Sequence, residues 1–317
     1  MRYMRAVLIC ILGAVVVFGC KGEKVQNKET PNPAMDQGDL KPEFPFRGRI
    51  VFQSNMDGDN EIYLMTKDGL KKLTDNTWSD EYPKWSPDRT KIAFTANPKG
   101  KYEIFVMNAD GSDLIQIIGT KNDAIEHAWF PDGEKIAFTE EFRSGLLTRF
   151  VLWQFDLKTK NMEKMIPEFP GYTALPDFSP SAPLMGFTGK KMIGWDVFLF
   201  DLEKKEYKSL TKGGKSCRPH FSRDGEKIAY VSAEADGKGD IWLMNPDGSN
   251  KERLTERDAT YDYFPSWSSD GKYIVFCSST SGSPREGRWS LFLVQTGTQK
   301  IISLFASGSR DLFPDWD

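Results

Sequence analysis

The chain is poor in the residues that carry most histidine-based and nucleophilic chemistry. Among 317 residues there are only two histidines, His127 and His220, and only four cysteines. Two histidines and scattered acids give none of the ligand spacings of a zinc protease, and no Gly-x-Ser-x-Gly nucleophile motif of a serine hydrolase is present. These absences argue against both classes of hydrolase and against a histidine-rich metal site.

The chain also lacks a surplus of positive charge. It has 42 Lys and Arg against 45 Asp and Glu, which gives a formal net charge of −3. A nucleic-acid-binding domain needs a basic field, so no nucleic-acid partner is predicted. Apolar residues make up 39% and aromatic residues 13% of the chain, enough to build a sizeable hydrophobic core.

Long apolar runs are absent except at the start of the chain, where residues 6–18 form a run of 13 after Arg2 and Arg5. Such a run is too short to span a bilayer and is typical of a signal peptide, predicted here over residues 1–19. It ends in Val-Phe-Gly-Cys, which resembles the lipobox of bacterial lipoproteins. That resemblance implies lipidation of Cys20. The alternative is an ordinary secretory signal or membrane anchor with a chance cysteine.

Residues 20–46 are predicted to be a flexible tether that starts at the lipidated cysteine. This stretch is rich in Pro, Lys, Glu and Asn and has few apolar residues before Phe44. Lys21, and not an aspartate, follows the cysteine. In the lipoprotein family an aspartate there retains the protein in the inner membrane, so the resemblance favours the periplasmic side of the outer membrane over the inner membrane.

Aromatic residues recur along the rest of the chain at nearly constant spacing. Six anchors are 44, 49, 43, 46 and 49 residues apart: Trp85, Trp129, Phe178, Phe221, Trp267 and Trp316. Nine residues after the first five anchors another aromatic follows without a slip in register: Phe94, Phe138, Phe187, Tyr230 and Phe276. A type I turn lies between the members of each pair, as in Ser-Pro-Asp-Arg and Ser-Arg-Asp-Gly.

Each repeat unit contains four short strand patterns, and a period of this length is typical of a propeller blade. The first unit starts without its anchor, because Phe52 stands where the second aromatic of a pair belongs. The missing anchor is Trp316, at the other end of the chain. We therefore predict an all-β fold over residues 47–317: a six-bladed β-propeller of four-stranded blades, closed by the C-terminal strand joining the N-terminal blade.

The repeat unit consists of five short motifs in a fixed order: Pro-x-Trp-Ser-Pro-Asp-Gly, Ile-Ala-Phe, Ile-Tyr-x-Met, Asp-Gly and Leu-Thr. Over residues 47–317 this unit resembles the WD40-like Pro-Asp repeat of TolB β-propellers. Related repeats occur in the propellers of dipeptidyl and prolyl oligopeptidases and of oligogalacturonate lyase. Those peptidases keep their catalytic triad outside the propeller, so this resemblance implies no peptidase activity. The TolB resemblance implies a partner in the cell envelope, such as a peptidoglycan-associated lipoprotein.

The histidines and cysteines are predicted to be structural. His127 takes the place of the usual proline, and His220 is expected to be solvated at a strand start. A metal or lyase site would need more histidines on one face, so no metal and no cofactor is predicted, and the acidic stretch 55–63 is expected to be a tight loop and not a calcium site. Cys217 and Cys277 are predicted to be two separate buried thiols, although an oxidising compartment would permit their pairing.

The candidate binding residues lie in the crossings between blades, which are predicted to share one face with the loops between second and third strands. Trp, Tyr and Arg around a depression are typical of binding hot spots, and variable loops on a rigid scaffold commonly carry function. Phe264 and Phe313 are expected to staple blade to blade. The predicted partner-binding residues are Trp78, Asp80, Tyr82, His127, Tyr172, Arg218, His220, Tyr261, Asp262, Tyr263, Arg310 and Asp311.

Two observations leave the function open between alternatives. Asp80, Asp262 and Asp311 each stand five residues before an anchor, which a structural hydrogen-bonding repeat would also explain. Aromatic residues at a channel mouth serve equally as sugar-stacking platforms. We predict a monomeric, non-enzymatic lipoprotein that binds an envelope protein or peptide; the alternative is a carbohydrate-binding or lyase-like propeller.

Overall fold

The computed structural model describes residues 47–144, 147–257, 259–279 and 287–317. The predicted signal peptide, Cys20 and the tether lie outside the described residues. Twenty-four strands are present in the described part of the chain. Among the residues described, no helix is long and apolar enough to span a bilayer.

The strands form six sheets of four strands each. Blade 1 contains β1 (Ile50–Ser54), β2 (Glu61–Thr66), β3 (Gly69–Lys72) and β24 (Leu312–Trp316); blade 2 contains β4 (Asp80–Trp85), β5 (Lys91–Ala96), β6 (Glu103–Asn108) and β7 (Ile115–Ile118). Blade 3 contains β8 (Asp123–Trp129), β9 (Lys135–Ser144), β10 (Leu147–Asp156) and β11 (Met162–Lys164); blade 4 contains β12 (Tyr172–Phe178), β13 (Leu184–Lys190), β14 (Asp196–Asp201) and β15 (Glu206–Ser209). Blade 5 contains β16 (Ser216–Phe221), β17 (Ile228–Ser232), β18 (Asp240–Met244) and β19 (Glu252–Arg253); blade 6 contains β20 (Tyr261–Trp267), β21 (Tyr273–Ser279), β22 (Ser290–Gln295) and β23 (Ile301–Phe305).

The predicted ring closure is confirmed by the pairing of the first and last strands. β24 lies antiparallel to β1, with Ile50 opposite Trp316 and Val51 opposite Asp315. The strand order of blade 1 is therefore β24-β1-β2-β3, with its innermost strand taken from the end of the chain. Sharing one blade between the termini closes the ring, and the sheet edges that remain are short and protected within it.

The repeated aromatic pairs form the core between blades. Every anchor side chain is 9% exposed or less. The aromatic residues nine positions later, together with Phe52, are at most 1% exposed. The anchor of one blade and the second strand of its neighbours pack into shared clusters, such as Trp85 with Ile62 and Val51 of blade 1. The fixed spacing in the sequence therefore reflects a packing contact that is repeated around the ring.

The crossings and the second-to-third loops share one face, as predicted. Hydrogen bonds join the two sets: Asp80 N donates to Asn60 O at 2.8 Å, and Asp262 N donates to Gly239 O at 3.0 Å. The equivalent bond before blade 1 runs from Asp311 N to Trp289 O at 3.1 Å. The same crossing also contacts the loop of blade 1 itself, since Arg310 N donates to Asn55 Oδ1 at 2.8 Å. We call this side of the propeller the mouth face.

Candidate functional site: the mouth of the central channel

Each innermost strand contains a bulge three residues before its anchor. At this position a residue other than glycine takes a left-handed backbone conformation, with φ between 49° and 60°. The register of each innermost strand shifts at the same point. A left-handed conformation costs a residue with a Cβ about 1–2 kcal/mol. We call these six residues the mouth ring: Tyr82, Glu126, Leu175, Arg218, Phe264 and Phe313.

Hydrogen bonds between blades hold this strained backbone. Arg218 N donates to Thr188 Oγ1 at 2.9 Å, and Tyr82 N donates to Gln53 Oε1 at 3.2 Å. Both acceptors follow directly after the buried second-strand aromatic of the preceding blade. At the bulge, one backbone amide no longer takes part in the hydrogen bonding between strands and instead bonds to the preceding blade. This hydrogen bond offsets part of the strain of the left-handed backbone.

The side chains of the mouth ring meet across the channel. The ring of Phe313 lies 3.8 Å from that of Tyr82 and 4.1 Å from that of Phe264, measured between centroids. The guanidinium carbon of Arg218 lies 4.2 Å from the centroid of Phe264, a cation–π contact. All ring members except Leu175 are buried. Phe264 and Phe313 do join blades, as expected, but they also line the channel.

Glu126 is the least satisfied member of the ring. Its side chain is 2% exposed, and neither carboxylate oxygen has a hydrogen-bond partner. Burial raises its pKa to about 8; the positive charge of Arg218 opposes this shift, and the negative charge of Glu141 adds to it. A carboxyl with this pKa is mostly protonated at neutral pH, so the charged form is disfavoured where no donor compensates for lost water.

A cluster of charged residues lies two positions deeper along the same strands. Lys84 Nζ donates to Asp315 Oδ1 at 2.9 Å. His220 Nε2 lies 3.6 Å from the same oxygen and 3.9 Å from Asp177 Oδ1. The other carboxylate oxygens bind anchor amides, since Trp85 N donates to Asp315 at 2.8 Å and Phe221 N donates to Asp177 at 2.7 Å. These four residues are the charged cluster.

The two carboxylates of the charged cluster differ in their pKa. Burial acts to raise the pKa of Asp315, but the charge of Lys84 and the contact with His220 outweigh it and hold this pKa well below its usual range. Burial raises the pKa of Asp177, against the charges of His220 and Lys84. Lys84 and His220 thus stabilise the ionised form of Asp315 above all, and Asp315 ties three blades together.

The mouth ring and three members of the charged cluster, Lys84, Asp177 and His220, line one cavity of about 560 Å³, the open space at its entrance included. All six innermost strands contribute to it, four of them also through the proline that follows the bulge in blades 4, 5, 6 and 1. In blade 3 the corresponding residue is His127. Burial lowers the pKa of His127 to about 4, so its ring is neutral at physiological pH.

The prediction for His127 is confirmed, whereas the one for His220 is wrong. His127 replaces proline and is buried in the channel wall. His220 is not solvated at a strand start but half-buried between two carboxylates. Cys217 and Cys277 are free and buried, as predicted. Within the described ranges, no group of three or more His, Cys, Asp or Glu residues is placed to hold a metal ion.

The structure divides the predicted binding residues into three groups. Four line the channel: Tyr82, His127, Arg218 and His220. Four are partly exposed on the crossings or at the ends of the strands that they enter: Trp78, Tyr172, Tyr261 and Arg310. The other four are almost completely buried and present no surface to a partner: Asp80, Asp262, Tyr263 and Asp311.

Hydrogen bonding within the fold explains the burial of the last group. Asp311 accepts from Ser54 Oγ at 2.6 Å and from Ser307 N at 2.9 Å. Asp262 accepts from Ser278 Oγ at 2.6 Å, and Tyr263 donates its hydroxyl to Lys238 O at 2.9 Å. The recurring aspartates therefore have the structural hydrogen-bonding role considered above, and they are not part of the binding surface.

Sequence reasoning missed Glu126, Lys84, Asp177 and Asp315. Their signal was positional: they stand three or one residues before an anchor, at positions that differ in chemistry from blade to blade. The repeat was recognised by the residues that are alike in every blade. The residues that differ at equivalent positions are the ones that give this channel its own charge pattern.

Proteins named TolB are among the known proteins to which this chain is similar. It is 31% identical over 123 residues to a protein TolB homolog of Chlorobium luteolum, spanning 39% of this chain and 26% of that protein. It is 27% identical over 169 residues to the Tol-Pal system protein TolB of Wolinella succinogenes, spanning 52% of this chain and 39% of the relative. The chain spans half or less of the length of the curated relatives compared.

A solved structure and a family model agree with these relatives. The crystal structure of TolB from Acinetobacter baumannii superposes with a TM-score of 0.72 at 21% identity, over 86% of this chain and 67% of that one, which shows a shared fold. The model of the TolB beta propeller domain matches residues 36–163 and 102–316. Since these matches cover most of the sequence, the chain belongs to the TolB β-propeller domain family.

Proposed function

We propose that this protein binds an envelope protein or peptide through its mouth face and catalyses no reaction there. One observation carries the proposal: partly exposed Trp, Tyr and Arg side chains surround a channel mouth whose floor is built from six strained residues. Backbone strain is kept where the surrounding structure enforces it, and it concentrates at binding and catalytic sites. Trp, Tyr and Arg are also the residues most enriched at hot spots.

The relatives give the proposal its partner class. Proteins similar to this chain carry the name Tol-Pal system protein TolB. By analogy, a peptidoglycan-associated lipoprotein or another envelope protein is the proposed partner.

The proposed location is the cell envelope, with the propeller held at a membrane by a lipid on Cys20. The support is the lipobox-like end of the apolar run and the polar stretch that follows it. Two or more acyl chains give stable anchoring, whereas a single chain gives only reversible binding. In this proposal the tether holds a monomeric propeller on the periplasmic side of the outer membrane, where Lys21 favours it over the inner membrane.

The experiment is affinity capture from detergent-solubilised envelope, with eluates analysed for both protein and glycan. The test variant is Trp78→Ala/Tyr261→Ala, which removes two partly exposed aromatics of the mouth face. The control is Trp242→Ala/Tyr273→Ala, which removes one half-buried Trp and one half-buried Tyr away from the mouth. Tyr273 belongs to the same blade as Tyr261 but lies at the opposite end of its sheet.

A protein retained by the wild type and the control but lost from the test variant would support the proposal. Retention of glycan alone, lost from the same variant, would contradict it and favour a carbohydrate-binding propeller. Equal loss from both variants would show that the mouth face is not the binding surface. Thermal melts of all three proteins check that each variant is folded.

A further inference from the structure

The loop between β13 and β14 presents two of the most exposed apolar side chains in the described part of the protein. Met192 and Ile193 are each 85% exposed. Apolar residues exposed singly are normal in soluble proteins, whereas an exposed apolar patch with a polar or charged rim marks a site of interaction with a protein, a ligand or a membrane. This loop joins the second and third strands of blade 4 on the mouth face, and none of its residues lines the channel cavity.

Lysines surround these two residues. Lys190 ends β13 and Lys191 follows it in the loop, directly before Met192, and Lys212 and Lys215 lie in the adjoining crossing. Neither stretch, 188–195 or 210–217, contains an acidic residue. The next acid, Asp196, is turned toward the crossing, where it accepts hydrogen bonds from Thr211 Oγ1 at 3.0 Å and from Gly214 N at 3.2 Å. A protein with a net charge of −3 therefore carries a local patch of positive charge.

The backbone holds the loop and the crossing together as one surface. Trp195 N donates to Gly214 O at 3.1 Å, and Ser216 N donates back to Trp195 O at 2.8 Å. Gly194 and Gly214 both have φ of 70°, and a Cβ on Gly194 would lie 2.1 Å from Gly214 O. Only glycines permit this contact. We call residues 190–194 with 212–215 the blade 4 tip.

Aromatic residues beneath the tip support its lysines. Lys191 Nζ lies 5.3 Å from the ring centroid of Phe198 and 5.1 Å from that of Tyr207. Lys190 Nζ lies 5.8 Å from the ring of Tyr172. These contacts place the ammonium groups of Lys190 and Lys191 over aromatic rings of blade 4, directly before the exposed Met192 and Ile193 in the sequence.

The neighbouring blade adds a second tip of the same character. Leu147, at the turn end of β10, is 74% exposed, and Arg149 beside it is also exposed. Arg143 on β9 is partly neutralised, since its Nε donates to Glu141 Oε1 at 2.6 Å. Blades 3 and 4 thus each present an apolar residue with a cation on the same face.

We propose that the blade 4 tip, assisted by Leu147 and Arg149, docks on a bilayer that contains anionic lipid, with Met192 and Ile193 at the boundary between headgroups and acyl chains. Lysines near an anionic bilayer attract its headgroups. Apolar residues next to them gain by leaving water for the interface. This is a function beyond partner binding at the channel mouth and does not depend on it.

A lipid surface fits this patch better than a protein does. The centre of a protein–protein interface is depleted in Lys and enriched in aromatic residues, Met and Arg. The blade 4 tip has four lysines and no exposed aromatic residue. The sign of its charge is complementary to anionic headgroups and opposite to that of the chain as a whole.

The position of the predicted anchor is compatible with this docking. The 26 residues from 21 to 46 can span at most roughly 90 Å when fully extended. A lipid on Cys20 would therefore leave the mouth face free to reach the same membrane. The proposal holds equally if Cys20 is not lipidated, because the tip has its own charge and apolar side chains.

The test is co-sedimentation of residues 21–317 with vesicles of phosphatidylcholine, with and without phosphatidylglycerol. This chain lacks the apolar run 6–18, and it contains all 24 described strands and the ring closure. The wild type is expected to bind the anionic vesicles only, and less as salt is raised. Lys191→Glu/Lys212→Glu/Lys215→Glu should weaken binding by at least about 100-fold, and Met192→Ser/Ile193→Ser by about tenfold.

The matched control is Leu114→Ser/Ile115→Ser. These two adjacent apolar residues are 48% and 60% exposed, but they lie at the start of β7, away from the mouth face. This variant should bind as the wild type does. The proposal is overturned if the wild type stays in solution with anionic vesicles, or if the control loses as much binding as Met192→Ser/Ile193→Ser. Unchanged thermal melts establish that each variant is folded.

Discussion

Glu126 shows how one residue can make the channel sensitive to pH. Its backbone is held in a left-handed conformation by the bulge, and its carboxyl is buried without a hydrogen-bond donor. The group is therefore neutral when the fold is most stable. Deprotonation places a negative charge among aromatic rings, where the charge of Arg218 is its main compensation.

We predict that Glu126→Gln makes the stability of the protein less dependent on pH. Burial raises the pKa of Glu126 from 4.5 to about 8. The folded state therefore binds more protons than the unfolded state between these values, and wild-type stability falls as pH rises through that window. At pH 8 the variant should be more stable than the wild type by on the order of a few kcal/mol. This advantage should shrink toward pH 5.

Urea unfolding at pH 5, 6, 7 and 8 measures this difference. Glu163→Gln, which removes an exposed glutamate from the outer strand β11, is the control for the loss of a carboxylate. If the stability difference between Glu126→Gln and the wild type is the same at all four pH values, Glu126 is not buried in the state described here.

Asp315→Asn tests the charged cluster. The substitution keeps the shape of the side chain but removes the negative charge that faces Lys84 and His220. Breaking a buried ion pair by neutralising one partner leaves the other charge uncompensated, and we expect a loss of about 2–4 kcal/mol at pH 7. The effect should fade as pH falls, because the lowered pKa of Asp315 makes its contribution present above the ordinary carboxyl range and lost in acid. Chemical denaturation at pH 7 and at pH 3 gives both values.

At the scale of the element, substitutions on solvent-facing strand positions should affect stability little, whereas substitutions where two blades pack together should destabilise the fold. Gly189 on β13 illustrates the second case. A Cβ at this position would lie 2.7 Å from the ring of Phe169 and 2.8 Å from that of Phe198. Both rings are buried and pack against each other, with centroids 5.1 Å apart. The glycine therefore makes room for an aromatic cluster under blade 4.

Gly189→Ala should destabilise the protein by about 1–3 kcal/mol, because added volume in a packed core forces side chains and backbone to shift. Gly297→Ala is the matched control, since nothing lies within 4 Å of its Cβ position. A thermal melt of each variant measures the difference. Similar melting temperatures for the two variants would mean that the space around Gly189 is looser than the structure shows.

The strands and their order could be predicted from the sequence because each blade repeats one packing contact. An anchor such as Trp267 and its partner Phe276 must both be buried, so neither varies freely, and the pattern is visible in one chain. Asp177 of blade 4 and Lys84 of blade 2 hold equivalent positions, one residue before an anchor, and carry opposite charges. These two side chains come close in the channel only because the blades form a closed ring. A local sequence pattern does not show that residues so far apart in the chain will meet. The burial of Tyr263 was likewise hidden, because tyrosine is common both in cores and at binding surfaces.

At the scale of the whole molecule, stability depends on the last seven residues. β24 supplies Trp316, which is 1% exposed and whose amide donates to Ser266 Oγ of blade 6 at 3.1 Å. Asp317 pairs with Arg49 at 2.5 Å, and Asp315 pairs with Lys84. These contacts connect blade 1 to the blades on both sides.

Truncation after Arg310 should lower the free energy of unfolding by at least about 3–5 kcal/mol, the cost of losing one buried aromatic anchor. Opening of the ring and loss of the charged cluster add to this. Deletion of residues 21–27 removes seven residues as well and is the control. Calorimetry should show a much lower melting temperature for the truncated chain only; an unchanged melt would be incompatible with closure by β24.

The most direct test of the account is the affinity of the captured envelope partner for three forms of the protein. Calorimetric titration of the wild type, Trp78→Ala/Tyr261→Ala and Trp242→Ala/Tyr273→Ala compares the mouth face with the rest of the propeller. We predict that the mouth variant loses at least about tenfold in affinity, as expected when hot-spot aromatics are removed, and that the other variant binds as the wild type does. Equal affinities for all three forms would contradict binding at the channel mouth.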